Sequence, residues 1–425
     1  MSIHRMLVKA LWISAAADPA GVLAQESAVE ATGNVRVFGE LDQLAGRGPL
    51  HGAQALSNAI ALPASATAQL DATLGARYEE ISGSVTLRSA RASNHAYFGS
   101  DTTRLILDEL VYTARPGPFQ LVVGKKVVSW DVGYAFRPND LVQQEARRPL
   151  VQRTLEGRPL VMAEGFGEDS AWSIVAFKKK VRPEDAAPLA REEEAVAGRL
   201  YRRLGSADLY AFAGSGSASH GTAGASVSWV ASDAIEFHAS YRHAGRYSVR
   251  SEGPPSSVPA RANPYVVVAR SAADQGLIGM TWTTESKLGV IAEAWYDGTA
   301  PSDGFWQAWS ERNESLVRAS VSASPVVRQL VAGNLGWQAV QLGNGSLRRA
   351  NVFLRVSWTS DPWEPALDLL YTPADRGLIA TAGLSWKSDK LCVDAGLRYF
   401  GGAQNSLYAQ TPIKAIAFLG LTLFF

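Results

Sequence analysis

The last thirteen residues, Ile413–Phe425 (IKAIAFLGLTLFF), decide how the rest of the chain is read. Taken in twos, Ile413, Ala415, Ala417, Leu419, Leu421, Leu423 and Phe425 form an unbroken apolar row. The other row, Lys414, Ile416, Phe418, Gly420, Thr422 and Phe424, carries a charge, a hydroxyl and a glycine. An extended strand puts the two rows on opposite faces. Helical spacing gives no clean face, and the run is shorter than the roughly 20 residues that a membrane helix needs. The stretch reads as a terminal β-strand with one apolar face, long enough to cross a bilayer at a tilt. The edge of a soluble β-sandwich is the competing reading.

The bulk composition agrees with alternation on a larger scale. The 425 residues are 47% apolar, yet mean hydropathy is only −0.04, as expected when each strand is half greasy and half polar. Twelve Trp and thirteen Tyr suit aromatic girdles at two membrane interfaces. Lys+Arg 41 against Asp+Glu 40 leaves a formal charge of +1, which gives no argument for a nucleic-acid partner. Cys392 is the one cysteine, so no intrachain disulfide forms. No run reaches the 18 or so apolar residues of a membrane helix.

Residues 1–24 read as a secretory signal: His4, Arg5 and Lys9, then apolar Ala10–Ala17, then Val22-Leu23-Ala24 before Gln25. Asp18-Pro19 interrupts that segment earlier than usual. A short tail, 25–33, follows.

From Asn34 onward the chain reads as strands joined alternately by tight turns and longer polar loops. The turns fall at Tyr78–Glu80, Arg115–Pro118, Gly167–Ser170, Gly205–Ser206, Ser232–Asp233, Thr284–Lys287, Ser324–Pro325, Ser360–Glu364 and Ser388–Asp389, most rich in turn-forming residues. Nine hairpins plus a first and a last strand give twenty; with boundaries uncertain by a few residues the range is 16–20, centred on 18–20 and even. The predicted fold over 34–425 is all-β, a transmembrane antiparallel barrel with short turns at one rim and long loops at the other. Charges on the second row of each strand, among them Glu293, Arg355, Asp394 and Arg398, must face a wet lumen, because an ion on the lipid face costs about 2–4 kcal/mol near midplane. One strand resists: Thr103–Thr113 puts Arg104 and Asp108 on one row and Glu109 on the other, which a bulge would resolve.

The longest charged connection, 127–157, lies within Gly124–Arg158. That stretch holds the basic residues Lys125, Lys126, Arg137, Arg147, Arg148, Arg153 and Arg158 and the acidic residues Asp131, Asp140, Glu145 and Glu156. Trp130, Tyr134 and Phe136 are interleaved with them. A loop of that kind is unsuited to waving in water, since exposed tips favour small polar residues. A barrel of this size leaves a wide lumen. The segment is expected to fold inward and form the constriction, its charges pairing with wall charges; an outer cap is the alternative.

Chemistry-bearing motifs are missing: no HExxH, CxxC cluster, Walker loop or GxGxxG occurs. His238-Ala239-Ser240 has the His-x-Ser spacing of outer-membrane phospholipases, but both residues share a row with Glu236 and Arg242 and so point inward, away from lipid. Asp297, Asp303 and Glu311 lack the dense spacing of a calcium loop. The expectation is no enzyme, no cofactor and no metal.

Alternation, turn asymmetry, leader and terminal Phe together resemble Gram-negative outer-membrane porin-like barrels over Asn34–Phe425. Gly124–Arg148 also resembles the inserted segment of large single-chain barrels, including alginate-export-type proteins. The resemblance implies an outer-membrane location among lipids and lipopolysaccharide, with Phe425 read by the barrel-assembly machinery. Two functions are compatible with it. One is passive diffusion of small polar, anionic solutes past Arg137, Arg147, Arg148, Arg153, Arg242, Arg355 and Arg398, since rings of Arg and Lys favour anions. The other is export of an acidic polysaccharide, with Trp130, Tyr134 and Phe136 stacking on sugar rings. A wide barrel with an internal segment points to a monomer.

Overall fold

The computed structural model describes residues 29–93, 101–143, 150, 154–179, 193–252, 262–343 and 345–425. The predicted leader and most of the tail lie outside them. Eighteen strands follow one another around a single antiparallel sheet. The first five are β1 (Glu30–Leu44), β2 (Ala66–Tyr78), β3 (Ile81–Ala92), β4 (Thr102–Ala114) and β5 (Phe119–Lys126). Next come β6 (Arg158–Phe166), β7 (Ser170–Lys179), β8 (Glu193–Leu204), β9 (Ala207–Gly216), β10 (His220–Ser232), β11 (Ile235–Glu252) and β12 (Tyr265–Thr283). The last six are β13 (Leu288–Asp297), β14 (Ala350–Trp358), β15 (Trp363–Thr372), β16 (Gly377–Lys387), β17 (Leu391–Gly402) and β18 (Ile413–Phe424). Strand β1 pairs with both β2 and β18, so the sheet closes on itself and leaves no edge. An even strand number brings both ends to one rim, where Gly33 and Phe425 exchange backbone hydrogen bonds of 2.8 and 2.9 Å.

The terminal strand shows how the wall is sorted. Ile416, Phe418, Gly420 and Thr422 are buried, whereas Leu419, Leu421 and Leu423 are 59%, 38% and 47% exposed. Exposed aromatics on the outer face gather near the short-turn rim, including Tyr78, Tyr112, Phe119, Trp172, Trp229, Phe237, Trp282 and Trp363. Tyr241, Tyr296, Tyr371 and Tyr399 mark the opposite end on β11, β13, β15 and β17. This is the pattern of girdles at two membrane interfaces.

The resistant strand is resolved by a bulge. Ser84 pairs with Glu109 and Val85 with Leu107, so Asp108 is the extra residue. Leu105, Leu107, Leu110 and Tyr112 then all face out, while Asp108 and Glu109 both turn inward.

Eight of the nine predicted tight turns join consecutive strands at the short-turn rim. The ninth does not. Ser324-Pro325 begins a helix, and two helices stand where a hairpin was expected around it. After α1 (Pro49–Leu56) in the first loop come α2 (Asp303–Ser320) and α3 (Pro325–Val340) between β13 and β14. Ser302 and Ser324 cap them, accepting from the amides of Phe305 and Val327. Replacing one hairpin by a helix pair turns the count of twenty into eighteen. The helices persist because each has an apolar stripe to bury. Leu316, Val331 and Leu335 pack with Ala53 of α1, while Trp306 and Trp309 pack against Leu347, Phe353 and Leu370 at the long-loop rim. None of the described helices is long and apolar enough to cross a membrane.

Candidate functional site

The lumen and the segment following β5 form the candidate site. The β4 bulge anchors both ends of that segment: the Glu109 carboxylate accepts from the Val127 amide at 2.7 Å, and the Asp108 carbonyl accepts from the Gly157 amide at 2.8 Å. At Gly124 the backbone adopts φ 138°, and a Cβ there would sit 2.0 Å from the Leu110 carbonyl oxygen. Only glycine permits that close turn at the end of β5.

Residues 127–143 lie against inward-facing side chains of the wall. Val128, Trp130, Leu141 and Val142 join Val122, Leu160, Val175 and Phe212 in one buried apolar cluster. Ala135 joins a second cluster with Leu277 and Trp295. Burying several such side chains is worth on the order of 1.5–3 kcal/mol each. Two carboxylates supply direction. Asp131 accepts from the hydroxyls of Ser226 at 2.6 Å and Ser240 at 2.8 Å, and from the Asn139 amide at 2.7 Å. Its φ of 85° is one that L-residues rarely adopt. The Asn139 amide group reaches the same two serines at 3.1 and 2.8 Å. From the far wall, Glu293 accepts from the amides of Tyr134 and Ala135 at 2.6 and 2.7 Å and lies 2.9 Å from His238 Nε2. Strand β13 stands eight places from β5 in a ring of eighteen, so these bonds reach almost across the barrel. Among the described residues, carboxylate-to-amide and carboxylate-to-hydroxyl bonds and apolar burial thus anchor the segment beside the ion pair of Lys125 with Glu156.

The other residues singled out from sequence fall as follows. Lys125 Nζ lies 2.5 Å from Glu156 Oε1, and Lys126 pairs in register with Arg158, which is buried and donates to the Gln143 carbonyl. Trp130 packs on Phe212 beneath the Arg199 guanidinium. Tyr134 stacks on Phe353 under Arg355, and Phe136 stacks on Trp295 at 5.6 Å. Arg137 donates to the Gly133 carbonyl at 2.6 Å, Asp140 accepts from the Trp130 amide, and Arg242 donates to the Pro138 carbonyl at 3.1 Å. On the wall, Arg355 meets Asp368 at 2.8 Å, Arg398 donates to Thr381 at 2.8 Å, and Asp394 accepts from Ser385 at 2.5 Å. Glu145, Arg147, Arg148 and Arg153 lie outside the described residues. His238 and Ser240 are buried on the inner row, held by Glu293 and Asp131.

Sequence reasoning missed a register row. Lys387, Cys392, Thr422, Arg36, Asp71, Arg88 and Arg104 are successive cross-strand partners from β16 through β4. Lys387 ends β16 at the short-turn rim and Arg104 stands near the long-loop end of β4, so the row climbs the wall. Arg88 Nε lies 3.0 Å from Asp71, and Arg36 Nε donates to Thr422 at 3.1 Å. Closer to the long-loop rim, the row Arg355, Asp368, Thr381, Arg398, Ile416 and Asp42 is balanced in charge. Beside it a cavity of ≈ 230 Å³ is lined by Phe353, Asp368, Thr381, Arg398, Phe400 and Tyr408, among others. No single strand reveals such a row, because each strand holds one member and the members meet only through pairing, a tertiary fact. Among the described residues no group of three or more His, Cys, Asp or Glu could hold a metal ion.

No protein-family model matches the chain, and no curated protein does. Among solved structures, OccK11 (OpdR) of Pseudomonas aeruginosa is similar over 93% of this chain and 95% of its own, with a TM-score of 0.52 at 8% identity. A mutant of the Rh. blastica porin covers 94% and 100% at 9% identity, with a TM-score of 0.42. At such identity the likeness to OccK11 speaks for the fold alone, a closed antiparallel barrel of porin-like architecture, in agreement with the closed wall and its outward apolar belt.

Proposed function

We propose that this porin-like barrel is a passive outer-membrane channel for small polar solutes and that it prefers anions. The observation that carries the preference is the climbing row of Lys387, Arg36, Arg88 and Arg104, in which Asp71 is the one carboxylate. Cations spaced along a wall let an anion pass between sites without binding tightly at any. Residues 127–143 narrow the lumen from the β5 side as far as Glu293 of β13 and Phe353 of β14, and the solute path follows β15–β18 and β1–β4. The export alternative needs free aromatic faces, and Trp130, Tyr134 and Phe136 are packed on Phe212, Phe353 and Trp295. We keep the diffusion reading for that reason. In it the barrel works as a monomer, with Phe425 offered to the assembly machinery.

Reversal potentials of the purified protein in planar bilayers under a salt gradient test this. An anion preference is expected, weakened by Arg36→Gln with Arg88→Gln. A cation preference in the unmodified protein rejects the assignment.

A further inference from the structure

Strands β11 and β12 are longer than their neighbours, and the extra length does not belong to the wall. The pairing of β10 with β11 stops at Thr222–Ala244, and that of β12 with β13 begins at Gln275–Asp297. Beyond those points, Arg246–Glu252 and Tyr265–Ser271 pair only with each other. A two-stranded ribbon thus rises from the rim. An isolated ribbon of this kind is marginal in water, so what it rests on decides where it sits.

At its base the register passes from Ala244–Ala273 to Arg246–Ser271, with Gly245 and Ala272 between them. Ala272 has φ 54°, a left-handed conformation rare inside a strand, and a Cβ on Gly245 would come within 2.6 Å of the Gly221 carbonyl oxygen. The ladder therefore breaks in conformation where it leaves the wall. The far ends of the ribbon rest on α2, α3 and the turn after α3. Arg250 donates to Gln341 Oε1 at 2.8 Å and to the Val340 carbonyl at 3.3 Å. Glu252 pairs with Arg312 at 3.0 Å, and Arg312 donates to Asn334 at 2.9 Å. The Tyr265 hydroxyl meets Gln338, and its ring lies 6.0 Å from that of Phe305. Gln338 Nε2 and Arg312 Nε are buried at this seam without a hydrogen-bond partner among the described residues. The seam is thus mostly polar, incompletely satisfied, and made of groups that water can serve equally well.

We propose that the ribbon is a lid: it swings about Gly245 and Ala272 and is latched over the long-loop mouth by Arg250, Glu252 and Tyr265 against the helix pair. The lid rests on the channel reading only for what its motion does to current. Opening it exposes the Tyr265 ring, which is 8% exposed in the seam, and otherwise trades polar contacts for water, whereas any movement of the wall below it breaks the closed ladder. The latch lies where a solute from outside must enter, so its release sets how often the mouth is accessible.

Two measurements test this on the full protein. Amide hydrogen exchange should show residues 246–252 and 265–271 opening at least about a hundredfold more readily than 236–244. Arg250→Ala with Glu252→Ala should speed ribbon exchange about tenfold further and leave the wall unchanged. In bilayers the same variant should lengthen open dwells without altering unit conductance. Joining Glu252→Cys to Arg312→Cys with a short bis-thiosulfonate in a Cys392→Ser background should suppress the transitions until reduced. Ribbon exchange as slow as the wall's, or unmoved by the double variant, overturns the lid. So does ordinary current with gating that neither the latch variant nor the tether alters. Silent bilayers combined with the expected exchange pattern would uphold the lid and overturn the channel reading instead.

Discussion

Glu293→Ala is the substitution with the largest expected consequence for the channel. The Glu293 side chain has no solvent exposure, and it accepts from the Tyr134 and Ala135 amides at 2.6 and 2.7 Å. Removing the carboxylate leaves two donors beside a residue that is 3% exposed with nothing to bond. Each buried donor left unmade costs about 1–3 kcal/mol, so the docked segment is weakened by roughly 2–6 kcal/mol. Even the lower figure changes the undocked population about thirtyfold, since each 1.4 kcal/mol is a factor of ten. Glu293→Gln is the graded version: its oxygen serves one amide while its NH2 confronts the other, for about half the effect. Single-channel recording should show bursts of higher conductance in the order Ala, Gln, wild type. Asp394→Asn is the control, because that inward carboxylate bonds Ser385 of the wall and not the segment. If both Glu293 variants fold and conduct as quietly as wild type, the segment is not held by these bonds and the reasoning fails.

Two further outcomes follow from particular side chains. Cys392 shares the inner row with Asp394, its Sγ 3.6 Å from Oδ2, so a charged thiosulfonate that cannot cross lipid should lower single-channel current, with Cys392→Ser insensitive. Reaction only with lipid-soluble maleimides would put the thiol on the wrong face. Asp375, in the loop between β15 and β16, joins three outer loops by accepting from Arg348 at 3.2 Å, the Leu407 amide at 2.9 Å and Thr372 at 2.6 Å. Burial alone would raise its pKa, but those bonds and the Arg348 charge outweigh burial and hold it below the usual carboxylate value. A depressed folded pKa means its contribution is present above the unfolded value, near 4, and is lost as pH falls through the folded one. Protease cleavage around 345–349 and 403–410 should rise on acidification, and Asp375→Asn should already show it at neutral pH.

Much of the wall was legible because period-two alternation survives in each strand by itself: Leu391 to Tyr399 or Val290 to Tyr296 needs no partner to be read. The inner surface was not legible in the same way. Arg36 and Arg88 look like any inward arginines until β1, β2 and β3 are paired in register. The segment after β5 was legible only in part. Its charged residues drew attention, yet Val128, Leu141 and Val142 pack it, and Glu293, which pins it, lies 158 positions away. A carboxylate that accepts backbone amides leaves no complementary residue type in the sequence to be noticed.

The helix pair at 303–340 is different, because its signals were present and were outweighed. Ser324-Pro325 is a turn in one reading and an N-cap followed by a first-turn proline in another, and the second fits the structure. Trp306, Trp309 and Leu316 are spaced by three and seven, and Val331, Leu335 and Ala339 by four, a helical rhythm. The tight turn read at Ser324-Pro325 made a hairpin of the chain around it, and that outweighed the helical rhythm. The consequence reaches beyond a count of strands. Two more strands would have widened the ring and kept the mouth clear; two helices instead give Arg250, Glu252 and Tyr265 something to close upon. Whether the mouth can be latched at all therefore depends on that one stretch being helical.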